Sequence, residues 1–491
     1  MRFGSHYTPF GYSHLQPVSV FSTYASDEEL IGTQHIICVQ ANGDIYEYWW
    51  ERNGVWNFSN LSEKVGGIKL LGPAFGYSHP DRTQHVIGRG QDGSIYELWW
   101  RIGGGWRKNN LSERLGGIKF ASDPIGYVHT DESQHIIGRL NNGKIQEFYW
   151  KRNQGWRKNN LSDDIGGLQI IGRPHGYSHP DGTQHVIARD RQGNIHELWW
   201  KRNLGWKHNN LSNRLGGVRF VSDPIGYVHT DESQHIIGRL SNGKIQEFYW
   251  KRNQGWRKNN LSDDVNGLQI IGRPYGYSHP DGTQHVIARD QEGDVHELWW
   301  KRNRGWKHNN LSNRLEGEKF TTDPVGYVHT DQSQHIVGKL KNGNGRVQEF
   351  YWRRNIGWSS NNISDSITPG VRVLGDCKGY KGAITKGIWR ALDILDDTIT
   401  DLKLRNCIRD RLTDPNVLVK CSDCPDLGHN SELVILSINS KHIHICINRI
   451  NEILLDARFG IAEVVLHEFA HSCGWEHNGG QGVPFNDGES I

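Results

Sequence analysis

The stretch GYSHPDGTQHVIARDRQGNIHELWWKRNLGWKHNNLS, residues 176–212, decides the fold, because close copies of it recur along the chain. Six copies follow one another at a step of 50 residues and begin at Gly76, Gly126, Gly176, Gly226, Gly276 and Gly326. A seventh begins at Gly11 and is interrupted by a longer loop between His14 and Gln34. Copies with YSHPD and ELWW alternate with copies that carry YVHTD and QEFYW, which indicates a doubled unit that was itself copied.

Each copy has the composition of four short β-strands. HVIARD and IHELWW are rich in β-branched and aromatic residues, and the turn between them contains the Gly and Asn typical of a hairpin. GWKHNNLS and GLQIIGRP supply two further strands. Four-stranded repeats of roughly 40–50 residues are typical of propeller blades, which cover each other's faces around an axis. Seven copies therefore predict an all-β seven-bladed β-propeller over residues 1–375.

A glutamate lies between apolar residues in the middle of one predicted strand of every copy. These glutamates are Glu47, Glu97, Glu147, Glu197, Glu247, Glu297 and Glu349. Each needs a partner, because an unpaired buried carboxylate is very costly. The arginine of the preceding strand is one candidate, but the first copy has Val39 there, whereas the histidine of the QH pair is present in all seven. A His–Glu pair inside each blade is the preferred interpretation, and a ligand contact is the alternative.

The pattern TQHVIARD…IHELWW…GWKHNNLS resembles the PLL-type seven-bladed bacterial lectins, which bind fucose and related sugars between blades. The resemblance covers about residues 1–375 and implies glycan binding at several sites, whose weak affinities would combine into avidity. Sugars stack on Trp and hydrogen-bond to amides and carboxylates. The candidate contacts are the second aromatic residue of each WW or YW pair and the asparagines of each NN pair: Trp100, Trp150, Trp200, Trp250, Trp300 and Trp352, with Asn110, Asn160, Asn210, Asn260 and Asn310.

Two alternatives to sugar binding concern the tryptophans and enzymatic activity of the propeller. The tryptophans can instead pack blade against blade. The S-x-D-x-G-x-T-W boxes of sialidase-type propellers do not occur, which argues against an enzyme built on the propeller itself. A net charge of +3 also lacks the concentrated positive charge expected of a nucleic-acid binder.

The segment 376–491 differs in composition and holds six of the seven cysteines. These are Cys377, Cys407, Cys421, Cys424, Cys446 and Cys473, whereas Cys38 stands alone before them. Six cysteines in a small unit predict disulfides and a secreted or extracellular destination, with the pairing open. Reduced thiols, or a zinc knuckle at Cys421 and Cys424, are the alternatives. The N-terminal residues lack a classical secretory signal, and no apolar run is long enough to insert into a membrane.

Apolar spacing in this segment predicts a helix over 384–402 and a second helix over ARFGIAEVVLHEFAHSCG. ELVILSI and HIHICINRI between them read as strands. The expected fold is a small α+β unit that follows the propeller.

The stretch VVLHEFAHSCGWEHNGG, residues 464–480, carries the pattern H-E-x-x-H-x-x-G-x-x-H. His467 and His471 are four apart on the predicted helix, so both imidazoles point from one face at a common Zn²⁺ ion. Gly474 can adopt a positive φ and let the chain turn back, so that His477 completes the metal ligands. A zinc-bound water then occupies the fourth position, and Glu468 is the catalytic base that takes its proton.

The pattern resembles the signature of the metzincin zinc metallopeptidases, which implies peptide-bond hydrolysis. That family also has a Met-turn, and this chain has no methionine after Met1, so zincin-like is the apt description. Asp487 or Glu489 is the alternative third ligand. An ordinary buried helix or a structural zinc site is the alternative to catalysis.

Together the two regions predict a glycan-targeted zinc metalloendopeptidase, with glycoproteins and peptides as partners. The alternative is a multivalent lectin, in defence or as a toxin, whose zincin domain is inactive or has a very narrow target. A propeller that docks proteins without binding sugar is a third possibility.

Overall fold

The computed structural model describes residues 7–15, 32–50, 56–341, 345–354, 356–366, 372–373, 401–413, 417–422, 443–446 and 461–475, with single positions between 384 and 399. The chain divides into two compact units, Met1–Ile363 and Ser364–Ile491. The boundary expected from the sequence, at 375 and 376, falls inside the second unit.

The first unit contains seven four-stranded antiparallel sheets, here called blades 1 to 7, each built from four consecutive strands paired in chain order. The first strands are Phe10–Leu15, Phe75–Ser78, Ile125–Val128, Ile171–Ser178, Ile225–Val228, Ile271–Ser278 and Val325–Val328. The second strands are Gly32–Val39, Gln84–Arg89, Gln134–Arg139, Gln184–Arg189, Gln234–Arg239, Gln284–Arg289 and Gln334–Lys339. The third strands are Ile45–Trp50, Ile95–Arg101, Ile145–Lys151, Ile195–Lys201, Ile245–Lys251, Val295–Lys301 and Val347–Arg353. The fourth strands are Trp56–Asn60, Gly105–Asn110, Gly155–Asn160, Gly205–Asn210, Gly255–Asn260, Gly305–Asn310 and Gly357–Asn362.

The seven blades close into a ring, which confirms the predicted seven-bladed propeller. The tyrosine of each GY pair lies against the glycine of the next blade's GY pair, and a Cβ on Gly226 would come within 2.3 Å of Tyr177 Cε1. The same contact joins Tyr327 of blade 7 to Gly11 of blade 1. Gly32 N also donates to Thr330 Oγ1 at 3.0 Å across that junction. Only glycine leaves room for the tyrosine ring, so the GY pair is the repeated interblade contact.

The core lies between neighbouring blades, where the apolar residues of the second and third strands are buried on both faces. Between blades 4 and 5, for example, Ile187, Ile195 and Tyr177 pack with Ile236 and Phe248 of the next blade. The sheets therefore stabilise one another, as four-stranded sheets with two apolar faces require.

A one-turn helix follows the fourth strand of each blade, where the sequence predicts continued strand. The seven helices are Leu61–Lys64, Leu111–Arg114, Leu161–Asp164, Leu211–Arg214, Leu261–Asp264, Leu311–Arg314 and Ile363–Ser366. The second Asn of the NN pair is the N-cap: Asn210 accepts from the backbone N–H of Asn213. Asparagine is among the best N-cap residues, so NNLS ends a strand and begins a helix.

The second unit has a three-stranded parallel sheet in its described part, with the strands Arg372–Val373, Leu418–Ser422 and Ile443–Cys446. Its helices are Leu402–Thr413 and Ile461–Ser472, and a disulfide joins Cys407 to Cys473. Described single positions from Ile384 to Thr398 are helical as well, in agreement with the helix expected there. The expected strand ELVILSI lies outside the described residues.

Candidate functional site

Cavities of the propeller lie between neighbouring blades. Between blades 3 and 4 a cavity of about 240 Å³ has Glu147, Tyr149 and Lys151 on one wall and Trp200 and Trp206 on the other. The equivalent cavity between blades 5 and 6 measures about 670 Å³ and is lined by Glu247, Tyr249 and Lys251 with Trp300 and Trp306. Here these are called interblade pockets.

The alternation of side chains along a strand explains this lining. Glu147, Tyr149 and Lys151 are two residues apart on one strand, so they share the face that meets the next blade. Trp200 and Trp206 are cross-strand partners in blade 4 and share the face that meets blade 3. Each blade therefore presents its glutamate face to one pocket and its tryptophan face to another.

The floor of each pocket is the predicted His–Glu pair, which the structure confirms in all seven blades. The histidine Nδ1 lies 2.7–2.9 Å from the glutamate Oε1 in His35–Glu47, His85–Glu97, His135–Glu147, His185–Glu197, His235–Glu247, His285–Glu297 and His335–Glu349. The arginine that was the other candidate pairs elsewhere: Arg189 binds Asp223.

The hydrogen bonds around the pair fix its protons. Thr183 Oγ1 donates its single hydrogen to Asp181 at 2.6 Å, so it must accept from His185 Nε2 at 2.8 Å. His185 Nδ1 and Glu197 Oε1 share a further proton at 2.9 Å, and Asn209 Nδ2 donates to Glu197 Oε2 at 2.7 Å. The pair has the proton content of an imidazolium beside a carboxylate. The pair forms a rigid polar floor, and in blade 4 its remaining polar atoms are satisfied, whereas in blades 3 and 5 Asn159 and Asn259 donate to Asp164 and Asp264 instead.

The aspartate at the start of this network is ionised. Burial raises the pKa of Asp181, but hydrogen bonds from Thr183 and the nearby His179 outweigh it and hold the pKa below its usual value. In contrast, burial and repulsion from His235 lower the pKa of His229 to about 4, so this imidazole is neutral near pH 7. Its Nδ1 lies 2.8 Å from Ser278 Oγ of the next blade.

The predicted tryptophans and asparagines take different places at this site. Trp200 and Trp300 line the interblade pockets, and Trp100 lines another cavity of about 330 Å³ with His14. Trp150, Trp250 and Trp352 are half-buried, and each meets a histidine of the preceding blade edge-on: His79, His179 and His279 respectively. Trp100, Trp200 and Trp300 meet a histidine of the preceding blade in the same way. Asn110, Asn160, Asn210, Asn260 and Asn310 are the helix N-caps.

In the two interblade pockets the asparagine that lines the cavity is the first of its NN pair, Asn159 or Asn259. Gln184, Trp206 and Tyr149 are further lining residues that the sequence analysis did not single out. The alternation of side chains along a strand could have predicted Asn159 and Tyr149 as lining residues, because both lie on the same face of the sheet as Glu147. No signal within one copy indicates Gln184, which belongs to the next blade.

In the second unit, the helix Ile461–Ser472 places His467 and Glu468 on one turn and His471 on the next. His467 is buried, and its ring meets Trp475 edge-on at 5.5 Å. Gly474 has a φ of +84°, as the turn back from the helix requires. The side chains of Glu468 and His471, and all of His477, Asp487 and Glu489, lie outside the described residues.

No cluster of three or more potential metal ligands occurs among the residues that the structure describes. Two of the three predicted zinc ligands are outside that set, so the zinc centre stays a prediction. In the same described part, no helix is long and apolar enough to cross a bilayer.

No protein-family model matches the chain, and no curated protein is similar to it in sequence. Among solved structures, the chain is similar to the BP39L lectin from Burkholderia pseudomallei, with 10% identity, a TM-score of 0.48, and 72% of this chain and 98% of that chain covered. It is also similar to AofleA from Arthrobotrys oligospora, with 16% identity, a TM-score of 0.39, and coverage of 59% and 86%. The six-bladed fucose-recognising lectin of Aleuria aurantia gives 14% identity, a TM-score of 0.38, and coverage of 59% and 93%. Likeness at this level says nothing of the ligand, and the blade number follows from the sheet topology alone.

Proposed function

We propose that the propeller is a multivalent carbohydrate-binding protein and that its sugar sites are the interblade pockets. The observation that carries this proposal is the pairing of a half-exposed tryptophan with a glutamate, a lysine and an asparagine in one cleft, as in the pocket of Trp200, Glu147, Lys151 and Asn159. An indole face stacks on the C–H face of a sugar ring, while the charged and amide groups bond to its hydroxyls. The rigid floor leaves little ordering cost on binding.

Repetition of the pocket around the ring supports binding to surfaces that display many glycans. Weak sites held on one rigid body act together, because binding at one site raises the effective concentration of sugar at the others. This proposal corresponds to the lectin alternative of the sequence analysis.

Substitution of Trp200 and Trp300 by alanine tests the proposal directly. We expect roughly tenfold weaker binding per altered pocket on a glycan array, about 1.4 kcal/mol, since the stacking surface is removed. Val221→Ala is the matched control, because Val221 is exposed and lines none of these pockets. Lys151→Ala and Lys251→Ala serve as second variants if the tryptophan variants unfold. Absence of any glycan signal for the unaltered protein would refute the proposal.

We also propose zinc-dependent peptide hydrolysis by the second unit as a second candidate function. Two observations favour it: His467, Glu468 and His471 lie on a regular helix, and Gly474 has the positive φ that a turn out of the helix requires. His467, His471 and His477 would hold the ion, which would supply an activated water, and Glu468 would accept a proton from it. The disulfide at Cys473 fastens the C-terminal end of this helix to the helix Leu402–Thr413.

Metal analysis of the purified protein, combined with a broad peptide-cleavage screen, tests this second function. We expect one zinc per chain, retained in Glu468→Gln and lost in His467→Ala, with cleavage abolished in both. A protein that holds no zinc after supplementation, or a Glu468→Gln variant that still cleaves, would contradict it. Neither result bears on the propeller.

A further inference from the structure

The interblade pockets differ in charge at one rim position, the last residue of the one-turn helix. This residue is Asp264 in blade 5, where it lines the pocket between blades 5 and 6, and it is Asp164 in blade 3. Blades 2, 4 and 6 carry Arg114, Arg214 and Arg314 at the same place. We call the pockets between blades 3 and 4 and between blades 5 and 6 the aspartate pockets. The corresponding interfaces between blades 2 and 3, 4 and 5, and 6 and 7, where the repeat places the equivalent residues, are called the arginine pockets.

The arginines reach over the interface in the same direction as the aspartates. A guanidinium nitrogen of Arg214 lies 3.9 Å from the position that a Cβ on Gly255 of the next blade would occupy. Arg114 approaches Gly155 in the same way, at 4.0 Å. Gly305, the equivalent of Gly255, lines the aspartate pocket between blades 5 and 6. The guanidinium groups of Arg114 and Arg214 therefore stand at the rims of their pockets, whereas nothing lies within 4 Å of the equivalent position on Gly357 of blade 7.

The rim aspartates and the rim arginines differ in the hydrogen bonds and ion pairs that they form within the protein. Asp164 and Asp264 accept from Asn159 and Asn259 at 2.8 and 2.7 Å. In the arginine pockets the equivalent asparagine turns to the floor, and Asn209 donates to Glu197 at 2.7 Å. In the part of the chain that the structure describes, no ion pair engages Arg114, Arg214 or Arg314. Five N–H donors per arginine are thus available at the rim.

The facing blade reinforces the same difference. Lys158 Nζ donates to Leu115 O at 2.8 Å, and Lys258 Nζ donates to Leu215 O at the same distance, so each ammonium group lies beside the residue that follows the rim arginine. At the aspartate pockets the equivalent residues are His208 and His308. Burial and a neighbouring histidine lower the pKa of both, so they are neutral near pH 7. Two of the arginine pockets therefore gain a second cation, and the aspartate pockets gain none.

We infer that the arginine pockets bind sugars bearing an anionic group, a carboxylate or a sulfate ester, whereas the aspartate pockets bind neutral sugars. The inference rests on the proposed carbohydrate binding and adds a substrate class to it. The planar guanidinium forms paired hydrogen bonds with carboxylate and sulfate oxygens, and the aspartate repels both. The larger indole of Trp199 replaces Tyr149 as the aromatic wall, so the same pocket also offers a stacking face.

The test compares matched glycans on the full chain: a neutral glycoside, its uronic-acid counterpart and its sulfate ester. The variant Arg114→Gln/Arg214→Gln/Arg314→Gln should bind either anionic glycan about tenfold more weakly, as loss of charge-assisted bonds implies, while neutral binding changes less than about twofold. The control Lys119→Gln/Arg191→Gln/Arg219→Gln removes the same charge from sites outside the pockets and should bind like the unaltered protein. Raising the salt concentration should weaken anionic binding alone.

A gain-of-function variant keeps the inference testable if the triple variant does not fold. Asp164→Arg/Asp264→Arg should add two sites for the anionic glycan, measured as stoichiometry by calorimetry. Loss confined to the uronic-acid arm or to the sulfate arm supports the inference and identifies the anion. Anionic binding that survives the triple variant, or binding of neutral glycans only, overturns it and leaves the proposed function standing. If no glycan of any kind binds, the proposed function itself fails.

Discussion

Glu197 is the residue whose replacement most directly tests what stabilises the interior of a blade. Its carboxylate is 2% exposed and joins His185 to Asn209 in the floor of a pocket. Glu197→Leu removes this acceptor and leaves the buried His185 Nδ1 and the half-buried Asn209 amide without their partner. Glu197→Gln keeps the shape of the side chain and one acceptor oxygen but removes the negative charge.

The expected cost follows from the environment. Removing one partner of a buried, hydrogen-bonded pair of this kind costs up to about 3–5 kcal/mol, because the other partner stays buried without its bond. The glutamine variant should cost less, about 1–3 kcal/mol, the penalty for unsatisfied groups in an imperfect hydrogen-bond set. Replacing both partners, as in His185→Leu/Glu197→Leu, should cost less than the sum of the single changes.

Guanidinium-induced unfolding, followed by tryptophan fluorescence, measures these differences. Glu292→Gln is the control, because Glu292 lies exposed on a turn and should change the free energy of unfolding by less than about 0.5 kcal/mol. If Glu197→Leu and the control are equally stable, the His–Glu pair does not stabilise the blade.

Three further predictions concern acid, the ring contact and the disulfide. Burial lowers the pKa of His229 and of His329 to about 4, below the 6.5 of an unfolded histidine. The unfolded chain therefore binds protons more tightly at these sites, and the free energy of unfolding is highest above pH 6.5 and falls as the pH drops toward 4. Each histidine accounts for a loss of up to about 3 kcal/mol over this range. His229→Gln should therefore make the free energy of unfolding depend less on pH between 6.5 and 4, and an unchanged pH dependence would contradict this. Gly226→Ala places a Cβ against Tyr177 and should cost about 1–3 kcal/mol in chemical denaturation; a variant as stable as the parent would show that the ring can yield. Cys407→Ser/Cys473→Ser should destabilise the second unit by about 2–4 kcal/mol and spare the propeller, and calorimetric transitions that both shift would argue against this.

The blade number and the His–Glu pairs are predictable from the sequence because each is repeated in every copy. Comparison of seven copies eliminated the arginine as the partner, since Val39 replaces it in one. The helix Ile461–Ser472 is predictable for a different reason: its apolar residues recur with helical spacing over several turns.

The helix caps and the far walls of the pockets were not predictable. A helix of four residues is too short to show a helical period, so Asn210 read as part of a strand. The pocket of Glu147 is completed by Gln184 and Trp200, which stand on the following copy. A repeat indicates which residues share a face, but the pairing of one copy's face with the next arises only when the ring closes.

In the part of the chain that the structure describes, every sheet of the ring is built from four consecutive strands, and the last blade meets the first through side chains and the Gly32–Thr330 bond, not through an exchanged strand. A recombination event between two near-identical copies can therefore add or delete a whole fifty-residue module without leaving any sheet short of a strand. Such an event would change the number of blades in the ring, and with it the number of interblade pockets, in a single step.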